Sequence, residues 1–134
     1  MTAQELVQEA LKARERAYVP YSKFKVGAAL LATEGRVYYG CNIENASYGA
    51  TNCAERTAVF SAIAEGVTNF SALAVVADTT DPCAPCGVCR QVLVEFLAPD
   101  TAIYLANVHG DIEETNIKQL LPGAFTKKQL KREF

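Results

Sequence analysis

The sequence predicts an α/β fold, one sheet with helices on both faces, and three observations carry that prediction. Apolar runs of strand length at 26–32, 72–77 and 102–108 are separated by segments with helical spacing. Hydrophobic residues make up 50% and charged residues 21%, the balance of a globular protein and not of a disordered or fibrous one. The 134 residues suffice for one domain with a real core and are too few for two, so a single domain over 1–134 is expected.

Taken in order, Thr2-Ala3-Gln4-Glu5 is a capping-box pattern that opens a helix carrying Leu6, Ala10, Leu11 and Ala17, stopped before Pro20. A short loop at 21–25 holds Phe24. The run 26–32 reads as a buried strand, Thr33-Glu34-Gly35 turns the chain, and 36–41 returns as its hairpin partner. The polar stretch 42–51 has no clear period, as loops that carry function often do not. A helix at 53–65 ends at Gly66 and is apolar nearly all round, so it is expected to be buried. The continuous run 72–77 suits a strand covered on both faces. A helix at 86–97 precedes the strand 102–108, and His109-Gly110-Asp111 turns away, with His109 expected to be a plain turn residue. Short helices at 116–121 and 126–133 complete the chain.

Several function classes are disfavoured. The formal net charge is −2, whereas nucleic-acid binders depend on clustered Lys and Arg. The one basic cluster, Lys127, Lys128, Lys131 and Arg132, reads as a solvated helix face. No signal peptide pattern opens the chain and no stretch approaches the roughly 18 apolar residues of a membrane span. Five cysteines, an odd number, fit metal or redox roles in a reducing compartment, so the expected location is cytoplasmic.

The chemistry concentrates in Asn52-Cys53-Ala54-Glu55-Arg56 and Pro85-Cys86-Gly87-Val88-Cys89-Arg90. Three cysteines can fill three corners of a zinc tetrahedron and leave the fourth for water, with a carboxylate nearby to carry its proton. A rival reading makes Glu55 a capping-box partner of an Asn52 N-cap. Burial of the helix and the adjacent Cys53 at a helix N-terminus favour the chemical role.

Cys83 extends the second motif to C-x2-C-x2-C and opens two rivals. An iron–sulfur run requires a further cysteine where Leu93 stands. A thioredoxin-type pair, Cys83 with Cys86, leaves Cys53, Glu55 and both arginines unexplained. Zinc, held by Cys53, Cys86 and Cys89, uses them all. Three thiolates overcompensate Zn²⁺, so two helix N-termini and an arginine must offset the excess. Arg56 is the preferred donor, with Arg90 the alternative.

These motifs, with Val26-Gly27-Ala28-Ala29-Leu30, the run Gly40-Cys41-Asn42-Ile43-Glu44-Asn45-Ala46-Ser47-Tyr48, and Leu120-Leu121-Pro122-Gly123-Ala124-Phe125, together resemble the small zinc-dependent cytidine deaminases over nearly the whole chain. The resemblance implies a three-layer α/β/α fold with a five-stranded mixed sheet. It implies one Zn²⁺ per subunit on Cys53, Cys86 and Cys89, with Glu55 as proton shuttle. It implies a nucleoside pocket in which Asn42 and Glu44 bind sugar hydroxyls, Ala54 and Phe24 line the site, and Phe125 packs on the base from a neighbouring subunit. Tyr48 then sits at a subunit contact in a homotetramer. The implied reaction is hydrolysis of cytidine and 2'-deoxycytidine to uridine and 2'-deoxyuridine with release of ammonia, a step of pyrimidine salvage. Glu44, as an anion, suits a free nucleoside better than a nucleotide. A thiol redox protein and a noncatalytic zinc module remain the rival classes.

Overall fold

The first helix, α1 (Ala3–Arg14), begins with the reciprocal capping box: Glu5 N–H donates to the Thr2 hydroxyl and Thr2 N–H to the Glu5 carboxylate. It ends earlier than its apolar spacing suggests, leaving Ala17 outside. The Arg16 and Ala17 N–H groups fall back to the carbonyls of Ala13 and Arg14, and Tyr18 peels away to donate to the Asn42 carbonyl. A long-range strand-like contact overrides local helical spacing there.

In this computed structural model, which describes residues 1–130, the hairpin of β1 (Val26–Ala32) and β2 (Val37–Cys41) follows. Gly35 supplies its turn at φ 106°. Then come α2 (Ala54–Ala64), β3 (Phe70–Ala77), α3 (Gly87–Phe96), β4 (Ala102–Asn107), β5 (Ile112–Thr115), α4 (Ile117–Leu120) and α5 (Lys127–Leu130). The last helix was expected over 126–133; residues 131–134, with Lys131 and Arg132, lie outside the described residues.

The strands form one mixed sheet in the order β2-β1-β3-β4-β5. Strand β1 is antiparallel to both β2 and β3, β3 runs parallel to β4, and β5 is antiparallel to β4. A parallel neighbour needs a crossover, and α3 provides it. Its first turn therefore lies just beyond the C-terminal end of β3. Reading residue by residue finds four strands and misses β5, whose Ile-Glu-Glu-Thr holds one strongly apolar residue. An edge strand has little to bury and leaves little pattern.

Helix α1 packs on one face of the sheet, with Leu6, Val7 and Ala10 against Ala29, Val76 and Ala106. The other face packs α2, α3 and α4 through Val59, Leu93 and Ile117 against Leu30, Val75 and Ile103. This is the three-layer fold with a five-stranded mixed sheet. Two glycines set the helices' depth. A Cβ on Gly27 would stand 2.1 Å from the Ala10 carbonyl oxygen, and one on Gly40 would stand 2.1 Å from that of Ala54. Helix α1 thus rests on bare β1 backbone and α2 on bare β2 backbone.

Helix α2 is not buried all round. Ala54, Glu55, Ala58, Val59 and Ala62 face inward, but Phe60 is 44% exposed, because no described residue covers that side of the helix.

Candidate metal and active site

Helices α2 and α3 both start with a cysteine. Cys53 is the N-cap of α2 and Cys86 the N-cap of α3, each with extended backbone and no side-chain capping bond, so both thiols are free to turn outward. Cys89 follows in the first turn of α3 and is fully buried. The sulfurs of Cys53, Cys86 and Cys89 all lie within 4.8 Å of one another, with Cys53–Cys86 at 4.0 Å and Cys86–Cys89 at 3.4 Å. In a tetrahedron with zinc–sulfur bonds of about 2.3 Å, the sulfur–sulfur edge is about 3.8 Å. The donor set and its spacing therefore fit one zinc ion with a fourth position left open.

Asn52 does not cap α2 as the rival reading required. Its amide donates to the Thr57 hydroxyl at 3.0 Å, and that hydroxyl donates to the Cys53 carbonyl at 3.0 Å. No capping box forms, so Glu55 has no structural duty of that kind. It sits 4% exposed in the first turn of α2. Burial pushes its carboxyl above the usual carboxylate range and the Cys53 sulfur adds to this, while its own backbone and the Cys89 thiol oppose the shift. A carboxylate placed so holds a proton more readily than a solvated one.

The sulfurs themselves are unequal. The neighbouring Cys89 thiol and the Arg56 guanidinium bring the Cys53 thiol down to about 5, burial opposing them. Cys89 is pushed up, chiefly as hydrogen-bond partner of Cys53. Metal binding requires deprotonated thiols, and Cys53 is the one the protein already favours in that form. Arg56 Nη2 donates to Cys53 Sγ at 3.2 Å, and this contact raises the arginine's own pKa. Its Nε is buried and finds no hydrogen-bond partner among the described residues.

Arg90 does something different. Its Nε donates to the Pro85 carbonyl at 2.9 Å and its Nη1 to the Leu120 carbonyl at 2.7 Å, so it clamps main chain. Cys83 stands apart from the three-sulfur cluster. It packs against the core beside α3, and burial pushes its thiol up to about 11. That is a poor start for the redox pair, whose chemistry needs a thiolate.

The 42–52 loop returns to the sheet edge through Ile43, which exchanges two main-chain hydrogen bonds of 2.9 Å with Asn52. Asn42 and Glu44 are thereby carried alongside the start of α2. Asn42 accepts from Val26 N–H at 2.9 Å and donates to the Phe24 carbonyl at 2.7 Å. Glu44 accepts from the N–H groups of Tyr21 and Ser22 and from the Ser22 hydroxyl, which also accepts from Phe24 N–H. The Ser22 hydroxyl, first among these, holds the Glu44 carboxyl below its ordinary value. Both residues thus fix the loop that carries Phe24, and Glu44 stays ionised. A cavity of about 390 Å³ opens between Tyr21, Ser22, Glu44, Asn45, Tyr48 and Thr51. A larger cleft of about 630 Å³, between Thr33-Glu34 and 66–69, lies past the far end of α2 and holds none of these groups.

Phe24, Tyr48 and Phe125 are 41%, 78% and 58% exposed. Sequence reasoning missed Ser22, Gln91 and Asn107. Gln91 donates to the Phe125 carbonyl at 2.9 Å. Asn107, 1% exposed, donates to the Thr80 carbonyl and Asp111 carboxylate and accepts from the His109 and Asp111 N–H groups. With the 3.1 Å His109–Asp78 contact it moors the loop that leads to Cys86. An asparagine ending an apolar strand was the available signal for that role.

Three thiols at tetrahedral spacing, two helix N-termini and a buried carboxylate define the class, a zinc protein equipped for hydrolytic chemistry. Residues 1–105 match the cytidine and deoxycytidylate deaminase zinc-binding region, and the chain belongs to that family. A cytidine deaminase of Sporosarcina psychrophila is 61% identical over 130 residues, covering 97% of this chain and 96% of that protein. One of Halalkalibacterium halodurans is 58% identical, covering 97% and 98%. A crystal structure of cytidine deaminase from Burkholderia pseudomallei superposes with a TM-score of 0.92 at 54% identity, covering 93% of this chain and all of that one.

Proposed function

We propose that this chain, acting as one domain, hydrolyses cytidine and 2'-deoxycytidine to uridine and 2'-deoxyuridine, releasing ammonia. The observation that carries the reading is Glu55, buried and uncapped, on the helix whose N-cap sulfur belongs to the three-thiol cluster. Cys53, Cys86 and Cys89 would hold one zinc ion per subunit, and when bound it supplies electrostatic activation of the attacking water.

The chain's own residues do the rest. Glu55 takes the proton released as water adds to C4 of the base and passes it to ring N3. It then assists protonation of the departing amino group, so one carboxylate serves as base and then as acid. Its raised affinity for a proton suits both halves of that cycle. Arg56 balances the excess thiolate charge through Cys53.

Asn42 and Glu44, each with hydrogen-bonding capacity left, would take the sugar hydroxyls, and the Glu44 charge would repel a phosphate. Phe24 and Ala54 would line the pocket. The exposed Tyr48, Phe60 and Phe125 support a homo-oligomer, a tetramer in this reading, with Phe125 reaching a neighbouring site. The setting is pyrimidine salvage in the cytoplasm.

Metal analysis of the purified protein, combined with the ultraviolet change as cytidine becomes uridine, tests the whole. About one zinc per chain and turnover that falls on chelation and returns with zinc are expected. A metal-free protein that instead reduces disulfides would overturn it in favour of the thiol redox reading.

A further inference from the structure

The segment ending in Phe125 is tied at two points to consecutive residues of one helix. Arg90 Nη1 holds the Leu120 carbonyl at 2.7 Å and Gln91 Nε2 holds the Phe125 carbonyl at 2.9 Å. Between the two anchors lie Pro122, with its fixed φ, and Gly123 in the left-handed region at φ 65°. Phe125 is 58% exposed, so packing within its own chain does not aim its ring. Its backbone does, and the backbone at that residue is held by Gln91. The same helix turn begins with Cys86 and Cys89, and Arg90 Nε reaches back to the carbonyl of Pro85, the residue before Cys86.

We infer that Arg90 and Gln91 are positioning residues that couple the metal-ligand turn of α3 to the placement of Phe125 for substrate binding. The inference rests on the reading above in which Phe125 packs on the base. One helix start thus holds its own subunit's zinc ligands and sets the angle at which an aromatic ring is offered to a neighbouring site. Gln91 acts on the ring's placement, because among the described residues its side-chain hydrogen bond goes to the Phe125 carbonyl. Arg90 ties the main chain before Cys86 to that at Leu120 without touching a sulfur.

The test uses the zinc-loaded protein with Gln91→Leu, which keeps the size and removes the donor, and Gln91→Lys, which restores one. Gln91→Leu is expected to raise KM for cytidine about three- to tenfold, the worth of one hydrogen bond, with kcat and zinc content near those of the parent. Amide hydrogen exchange at 121–126 should quicken, and Gln91→Lys should recover most of both effects. Phe125→Ala, measured alongside, separates the two layers. If Phe125→Ala raises KM and Gln91→Leu moves neither KM nor exchange, the anchor is idle and this inference is overturned while the role of Phe125 stands. If Phe125→Ala leaves KM unchanged, the role of Phe125 falls and the coupling falls with it. A Gln91→Leu variant that loses kcat and zinc together would also overturn it, because the residue would then serve the metal and not the ring.

Discussion

The starts of α2 and α3 are built alike and put to different uses. Each opens on a cysteine N-cap that caps nothing, and each carries an arginine within four residues, Arg56 and Arg90. In α2 the arginine turns to a sulfur and the residue before it is a buried carboxylate. In α3 the arginine turns away from the sulfurs to two carbonyls, and the next residue reaches the Phe125 carbonyl. The same local sequence device therefore meets a sulfur on one side of the site and main-chain carbonyls on the other. What decides is the surroundings. Arg56 stands one turn from Cys53 and meets its sulfur, whereas α3 borders the 120–125 segment, whose Leu120 and Phe125 carbonyls take Arg90 and Gln91.

The sharpest way to break this contrast is at Glu55. Glu55→Gln is expected to bind cytidine with KM within a few fold of the parent and to lose kcat on the order of 10³-fold. A loss below tenfold in steady-state turnover would place the proton shuttle elsewhere and leave α2 no more chemical than α3.

The arginine pair gives the intermediate effect. Arg56→Ala should release zinc to a competing chelator at least about tenfold more readily, as loss of a ligand's hydrogen-bond partner does, with the fold kept by circular dichroism. Arg90→Ala should leave zinc affinity within a few fold and instead lower thermal stability, since two carbonyls lose their donors at a cost of about 1–3 kcal/mol in total. Exchanged outcomes would reverse the assignment of the two helices.

The smallest effect concerns Cys83, beside the architectural helix. Its thiol is raised by burial to about 11 from the ordinary 9, so the native state keeps the proton longer than the unfolded chain does. The corresponding stability is fully present below pH about 9 and is lost as pH rises towards about 11. Cys83→Val should flatten that alkaline decline in the denaturation midpoint and leave turnover at pH 7 alone. Midpoints that fall in parallel across pH 9 to 11 for parent and variant would show that this thiol stays out of the titration.

The ligand cysteines were legible because their spacing is itself the chemistry: C-x2-C at a helix start and a thiol two residues from a carboxylate have few other uses. The bounds of β1 and the Thr2–Glu5 box were legible because composition and local hydrogen bonding fix them. Three features were not. The end of α1 is decided by Tyr18 pairing with Asn42, distant in sequence. The fifth strand has one strongly apolar residue, and only its register against β4 makes it a strand. The N-cap of α2 falls on Cys53 instead of Asn52, whose amide prefers Thr57. Within the site, Ser22 and Gln91 were invisible for a related reason. A single exposed polar residue looks like solvated surface until the carbonyl or carboxylate it meets is known.

Gly40 bears on how such a protein tolerates change. A methyl group there would meet the Ala54 carbonyl at 2.1 Å and the Ala58 nitrogen at 2.5 Å, so the smallest possible enlargement of an edge strand would lever α2 outward. Because Cys53 and Glu55 both ride on that helix, their placement relative to Cys86 and Cys89 at the start of α3 is gauged by a hydrogen atom on a residue outside the cluster. Any redesign of the site must therefore leave this spacer untouched.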